Sequence, residues 1–224
     1  MEELISLREE ATKPRRVKNS RYRQFLDKNE INIMGFDEFG SLINCISGTR
    51  EIEGRAFCIA LFLTGARPNE VLRIRGKDIE KKGSYIVIAL KASKGGLPRK
   101  MFISRNKANT KEITRELYKY SRSMHSDAYI FNSFISRRKT LRKGKTGKIT
   151  TYIRITDRLN YWFNKWFDGE INPYFFRHNR FSSMAENGAD LELIRQIKGA
   201  KGMSSVFPYL HLSTKKAKSA AKYI

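Results

Sequence analysis

Two arginines and a tyrosine, placed where elements begin or end, are the residues of this sequence best suited to chemistry. Arg67 stands in the turn TGARPNE, between an apolar run and a proline that opens the next helix. A turn on a rigid scaffold can aim a guanidinium fork at a phosphate through two parallel hydrogen bonds, although an ordinary capping arginine occupies the same kind of place. Arg177 falls in NPYFFRHNRF, where Tyr174, Arg177, His178 and Phe181 share one helix face by i, i+3, i+4 and i+7 spacing. That face either opens Tyr174, Arg177 and His178 into one cleft, or buries Tyr174 and Phe181 as core while Arg177 snorkels. Tyr209 follows in SSVFPYLHLS. Other chemistries lack their signatures: HExxH, CxxC, GxSxG and a strand-borne GxGxxG do not occur. GKTGK fails as a P-loop, because the position five before its first GK is Lys139 and not glycine. His125, His178 and His211 are scattered, and Cys45 and Cys58 have no metal-like spacing, so neither a metal nor a cofactor is expected.

The charge names a class of partner. Forty-five Lys and Arg against 22 Asp and Glu give +23 over 224 residues. With 40% hydrophobic and 12% aromatic residues, the chain can bury one good core and is not a disordered basic tail. A polyanion, most plausibly nucleic acid, is the expected partner. No apolar run approaches the roughly 18 residues of a membrane helix. The N-terminal MEELISLREEATKPRR has acids before bases and no apolar stretch, unlike a secretory signal. An intracellular protein without a membrane partner is expected.

Patterning predicts the elements that must position these residues. Residues 1–30 read as a basic arm or linker, with a short helix at Glu2–Ala11. FDEFGSLINCIS has helical spacing with acids in its first turn, and EGRAFCIALFLTGA reads as a buried helix ending at Gly65. Pro68 with Glu70 behind it starts another. SYIVIALK and RKMFIS are strand-like runs around a Gly-Gly turn, joined by GKDIEKK into one small antiparallel sheet. NKANTKEITRELYKYSRSM is an amphipathic helix, SRRKTLRKGKTGK a loop or hairpin, and TYIRITDRLNYWFNKWF a return to helix. NPYFFRHNRFSSMAENGADLELIRQIKG makes two helices, stopped at Asn187-Gly188 and restarted by an Asp190 cap. STKKAKSAAKYI ends the chain as a basic helix. The class is α+β and mainly α-helical.

Three stretches carry a family resemblance over about residues 31–215. TGARPNEVLRIRGKDI resembles the first box of the tyrosine recombinases (phage-type integrases and Xer-like resolvases), roughly TGxRxxEh. PYFFRHNRFSSMAENGADLELIRQIKG resembles their second box, PHxLRHTFAxxhxxxGxDhxxIxxhLGH, and SSVFPYLHLS resembles their hYxHhS segment. Order and spacing agree: Ala200 takes the place of the LGH histidine, and Tyr209 follows nine residues later. Two positions depart from the pattern. Tyr174 replaces the usual histidine, and with an ordinary pKa of about 10 it is a poor base near neutrality, though it can donate to a phosphate. Ala200 is the other. Archaeal and archaeal-virus integrases include such variants.

The resemblance implies the tyrosine recombinase catalytic-domain fold over residues 31–224 and a metal-free, ATP-free reaction. Arg67 and Arg177 become the catalytic arginines, Tyr209 the nucleophile, and Lys91 the hairpin general acid with Lys94 as runner-up. Tyr174 joins the catalytic set, with Glu70 and His178 as accessory residues. Duplex DNA would be cut and rejoined through a 3′-phosphotyrosyl link, to integrate or excise a viral or plasmid element. The assembly would be a homo-multimer, tetrameric in synapsis. Arg137, Arg138, Lys139, Arg142, Lys143, Lys145 and Lys148, seven bases without an acid, would hold phosphates. The family's separate core-binding helical domain is not evident in residues 1–30, which implies weaker site discrimination. Two alternatives share the boxes: a type IB topoisomerase-like relaxase, and a non-catalytic DNA-binding relic.

Overall fold

The computed structural model describes residues 33–93, 96–135, 139–143, 149–153 and 156–209, and for 139–143 and 149–153 only the backbone. The N-terminal arm, Lys94, Arg137, Arg138, Lys145, Lys148 and the basic last helix lie outside the described residues.

Helix α1, Phe36–Asn44, is opened by Glu38, whose carboxylate accepts the Gly35 N–H at 2.8 Å. It buries Phe39 and Ile43. Helix α2, Glu51–Thr64, is buried continuously from Ala56 to Thr64, as its unbroken apolar run requires. It stops at Gly65, which takes the left-handed conformation (φ 59°) that a side chain would resist. Helix α3, Pro68–Val71, follows after two residues. Arg67 therefore sits on a corner between a fully packed helix and a proline-started turn.

Strands β1 (Ile79–Lys82), β2 (Tyr85–Leu90) and β3 (Arg99–Ser104) form an antiparallel sheet in the order β1-β2-β3. Ile86, Ile88 and Leu90 point inward with Met101 and Ile103, while Tyr85 and Phe102 stay exposed on the other face. Leu90 pairs with Arg99, so Lys91 leaves directly from the end of the sheet. Helix α4, Ala108–Arg122, lies against α2, where Arg55 donates to Glu116 at 2.8 Å.

The basic segment, read as a loop or hairpin, takes the second form and adds a two-stranded sheet. Strands β4 (Lys139–Lys143) and β5 (Ile149–Ile153) pair antiparallel, making a hairpin of the basic segment. TYIRITDRLNYWFNKWF is thus not helical throughout. The run of isoleucine, threonine and tyrosine at its start favours strand, and helix α5 begins only at Asp157 and runs to Phe167.

Phe57 of α2 anchors the main core, its ring centroid 5.0, 5.5 and 6.3 Å from those of Phe131, Phe134 and Phe163. Gly54 lets α5 close on it, since a Cβ there would stand 2.5 Å from Trp166 Cη2. Helices α6 (Phe175–Glu186) and α7 (Leu191–Lys198) come next, with Asp190 accepting the Glu192 and Leu193 N–H groups as the α7 cap. Two short 3-10 turns follow, Met203–Ser205 and Phe207–Tyr209. Phe181, Ala185, Ile194, Val206 and Tyr209 form a small second core. The tyrosine is thereby tied to α6 and α7.

Candidate active site

The site has two halves that meet at the α2–α3 corner. In the first, the Glu70 carboxylate is buried and accepts four hydrogen bonds. These come from Arg67 N (3.0 Å), Arg67 Nη1 (2.9 Å), Ser93 Oγ (3.1 Å) and Arg99 Nη2 (2.9 Å). Burial pushes this carboxyl up, but Arg99 and Arg67 outweigh it and hold the group below 4.5. Arg67 is drawn inward by the same contact, and Gly96 leaves it room: a Cβ there would lie 3.0 Å from Arg67 Nη1. Arg99 Nε and Nη1 are buried with no acceptor among the described residues.

In the second half, Arg177 is only 4% exposed. Its Nη1 donates to Gly65 O at 2.8 Å and its Nη2 to Lys198 O at 2.9 Å. Both carbonyls end helices, α2 and α7, and so carry the negative end of a helix dipole. The guanidinium is held by backbone rather than by an acid, with three of its five N–H donors left beyond these two bonds. Burial, reinforced by Arg67, pushes its pKa down to about 10, so it stays charged at neutrality.

Tyr209 is wholly buried, with its hydroxyl 3.0 Å from His178 Nδ1. Burial, then the charges of Lys198 and Arg177, push His178 down to about 4. It is therefore neutral at physiological pH. Lys198 lies on the other side, its Nζ 4.7 Å from the Tyr209 ring centroid.

Of the residues read from sequence, Arg67, Glu70, Arg177, His178 and Tyr209 are thus brought together. Tyr174 is not joined to them. It is 41% exposed at the α6 N-cap, and its side chain makes no hydrogen bond to the arginines or Tyr209 among the described residues. Lys91 is exposed at the end of β2 and does not reach Glu70 or Arg177 by a hydrogen bond among the described residues. Lys139, Arg142 and Lys143 fall on β4. Three site residues were missed: Ser93, Arg99 and Lys198. Lys198 was legible, because it stands four residues after buried Ile194 and so on the inward face of α7. Arg99 had a weaker signal, as the first residue of a strand leaving the hairpin.

A buried Arg177, a half-buried Arg67, a neutral imidazole and a buried tyrosine are thus gathered at one corner of the fold. The chain belongs to the phage integrase family, whose model matches residues 32–216. It is 26% identical to tyrosine recombinase XerC of Rickettsia bellii (strain OSU 85-389) over 197 residues, 87% of this chain and 58% of that protein. Tyrosine recombinase XerA of Pyrococcus horikoshii is 22% identical over 185 residues, again covering 58% of its length. The chain spans somewhat over half the length of these relatives. Among solved structures, XerA recombinase matches with a TM-score of 0.57 at 18% identity, over 88% of this chain and 64% of that one. XerH bound to palindromic difH substrate, a post-cleavage complex, matches with 0.55 at 18% identity, over 83% and 50%. At these identities the structures speak for the fold, a mainly helical recombinase catalytic fold with a small sheet.

Proposed function

We propose that this chain is the catalytic part of a site-specific DNA recombinase that cleaves and rejoins duplex DNA through a 3′-phosphotyrosyl link. The observation that carries the reading is the Tyr209 hydroxyl at 3.0 Å from His178 Nδ1, beside the buried Arg177. Tyr209 Oη attacks the scissile phosphorus and passes its proton to neutral His178. Arg177 and Arg67 hold the non-bridging oxygens, where charge grows in the five-coordinate state. The bond from phosphorus to the 5′ oxygen breaks, and that oxygen takes a proton from a hairpin lysine, Lys91 or Lys94. The covalent link keeps the bond energy, so a 5′-hydroxyl from another duplex reseals it without ATP or metal.

Arg67 positions itself through Glu70, and Tyr174 donates a hydrogen bond at the rim rather than acting as a base. Because Tyr209 has no exposed surface, the scissile phosphate reaches its hydroxyl only through a local opening that keeps the contacts to His178 and Lys198. The basic β4–β5 hairpin grips the duplex backbone through salt-dependent contacts. A viral or plasmid element as cargo, and a tetramer of copies at synapsis, are part of this proposal, and membership of the family supports them.

The test is capture of a covalent complex. Nicked suicide duplexes drawn from a randomised pool should give a protein–DNA band with the wild-type chain. Tyr209→Phe should lose it, and EDTA should leave it intact. A band that survives Tyr209→Phe would sink the assignment of the nucleophile. Relaxation of a supercoiled plasmid without joining a second duplex would favour topoisomerase-like behaviour instead.

A further inference from the structure

Lys198 is a buried cation that the reaction above does not use. It is 7% exposed, and its Nζ donates to the Ser205 carbonyl. The same nitrogen lies 4.7 Å from the Tyr209 ring centroid and 5.7 Å from that of Phe181. No carboxylate pairs with it among the described residues. The charged and titratable groups that face it come from three other elements: Arg177 and His178 on α6, Arg67 at the α2–α3 corner, and Tyr209 itself. All of the charged ones are positive. A leucine or methionine would fill this space without desolvating an ammonium. Ala200, two residues on, offers only a methyl group.

We infer that Lys198 is a positioning residue for Tyr209: its ammonium holds the ring from one face and stabilises the phenolate that forms during attack. A cation over an aromatic face is attracted to the ring quadrupole, and the attraction grows when the ring carries negative charge. The hydroxyl meanwhile faces His178, so the proton leaves on one side while the cation acts from another. Burial, then Arg177 and Arg67, push the amine down to about 8. It is therefore charged at neutral pH and loses that charge in mild alkali. The inference rests on the recombinase reading for its role in cleavage, but its electrostatic content can be measured without any DNA.

Two measurements on the full chain decide it. In the first, tyrosine is labelled with 13C at Cζ and Tyr209 is titrated by NMR in Lys198→Arg and Lys198→Met. Arginine keeps the charge, so the Tyr209 midpoint should lie about one pH unit lower in Lys198→Arg. In the second, covalent capture is timed against pH. The wild-type rate should fall as pH rises through about 8, where Lys198 deprotonates. Lys198→Arg should not fall there, and Lys198→Met should be about ten to thirty times slower at pH 7, the worth of a desolvated cation–π contact. Equal Tyr209 midpoints, or a Lys198→Met rate equal to wild type, would overturn the inference. Shifted midpoints without any wild-type covalent band would uphold the Lys198–Tyr209 coupling and sink the recombinase reading instead.

Discussion

The two halves of the site bury charge by opposite means. Around Glu70 the acid is present: one carboxylate takes Arg67, Arg99 and Ser93, and the ion pairs close at 2.9 Å. Around Tyr209 no acid pairs with Arg177 or Lys198 among the described residues. Helix-end carbonyls and aromatic faces hold these cations instead. A carboxylate neutralises and fixes, whereas a carbonyl only orients, leaving most of the positive charge for an anion from outside. The Glu70 half thus neutralises its arginines, and the Tyr209 half leaves its cations without an acid among the described residues. The difference gives the two halves opposite responses to loss of their central charge.

The largest effect should come from Glu70→Ala. It leaves the Arg99 and Arg67 guanidiniums together without their acid, and breaking a buried pair in this way costs about 3–5 kcal/mol. Urea unfolding at pH 7 measures it. The carboxyl is held below its ordinary 4.5 in the fold, so its contribution is complete above that value and disappears as pH falls through the folded-state value. Wild type and Glu70→Ala should therefore converge in strong acid. A loss under about 1 kcal/mol at pH 7 would mean that the carboxylate does not hold the arginines, and the comparison would fail.

Lys198→Met should act in the other direction. Replacing an unpaired buried ammonium by a thioether of similar volume should stabilise the fold by about 1–3 kcal/mol at pH 7, even as cleavage slows. The folded amine ionises at about 8, below its ordinary 10.5, so the folded state disfavours the proton. Wild-type stability therefore rises between these two values, and the advantage of methionine should shrink over the same window. A destabilised Lys198→Met would place Lys198 in the scaffold with Glu70.

How much of this was legible depended on whether a residue's partners were close in sequence. The Glu70 box is local: Arg67 and Glu70 are three apart behind a proline, and periodicity alone places both on the corner. The α2 terminus at Gly65 and the Asp190 cap were equally plain. The hairpin β4–β5 was legible only as one of two readings, and its second strand reads as helix in the sequence, because the β-branched residues show their strand character only once they find a partner. Tyr174 shows the limit of helix spacing. It shares a row with Arg177, yet at the N-cap, with backbone already helical, its side chain is 41% exposed while Arg177, three residues on, is buried. Ser93 was illegible and Arg99 only faintly legible because they reach Glu70 across 23 and 29 residues, through a connection whose path only the packed sheet fixes.

Gly199→Ala tests whether that connection is held from the α7 side. Gly199 has φ +65°, and an added Cβ would stand 2.6 Å from Arg99 Nη1 and 3.0 Å from Leu97 O. Its carbonyl also accepts the Leu97 N–H at 3.1 Å. Left-handed strain with displacement of Arg99 should cost about 1–2 kcal/mol. Cleavage should suffer more than stability, because Arg177 rests on the neighbouring Lys198 carbonyl. An unchanged midpoint in urea would show that Arg99 yields freely and is no rigid part of the scaffold.

The smallest effect should be that of Ser93→Ala. Ser93 gives Glu70 Oε1 one neutral hydrogen bond, at 3.1 Å, on an oxygen that already accepts from Arg67 at 2.9 Å. Its loss should cost about 0.5–1.5 kcal/mol, because the carboxylate stays paired and nothing charged is left without a partner. Ser93 nevertheless stands two residues beyond Lys91, at the root of the hairpin connection. If Glu70 anchors that root as well as Arg67, Ser93→Ala should slow release of the 5′ strand beyond what this small loss of stability explains. A nicked duplex with a 5′-phosphorothiolate leaving group, which needs no proton from a lysine, should restore the rate. If the sulfur substrate fails to restore it, Ser93 acts on Arg67 alone, and the hairpin belongs to neither half.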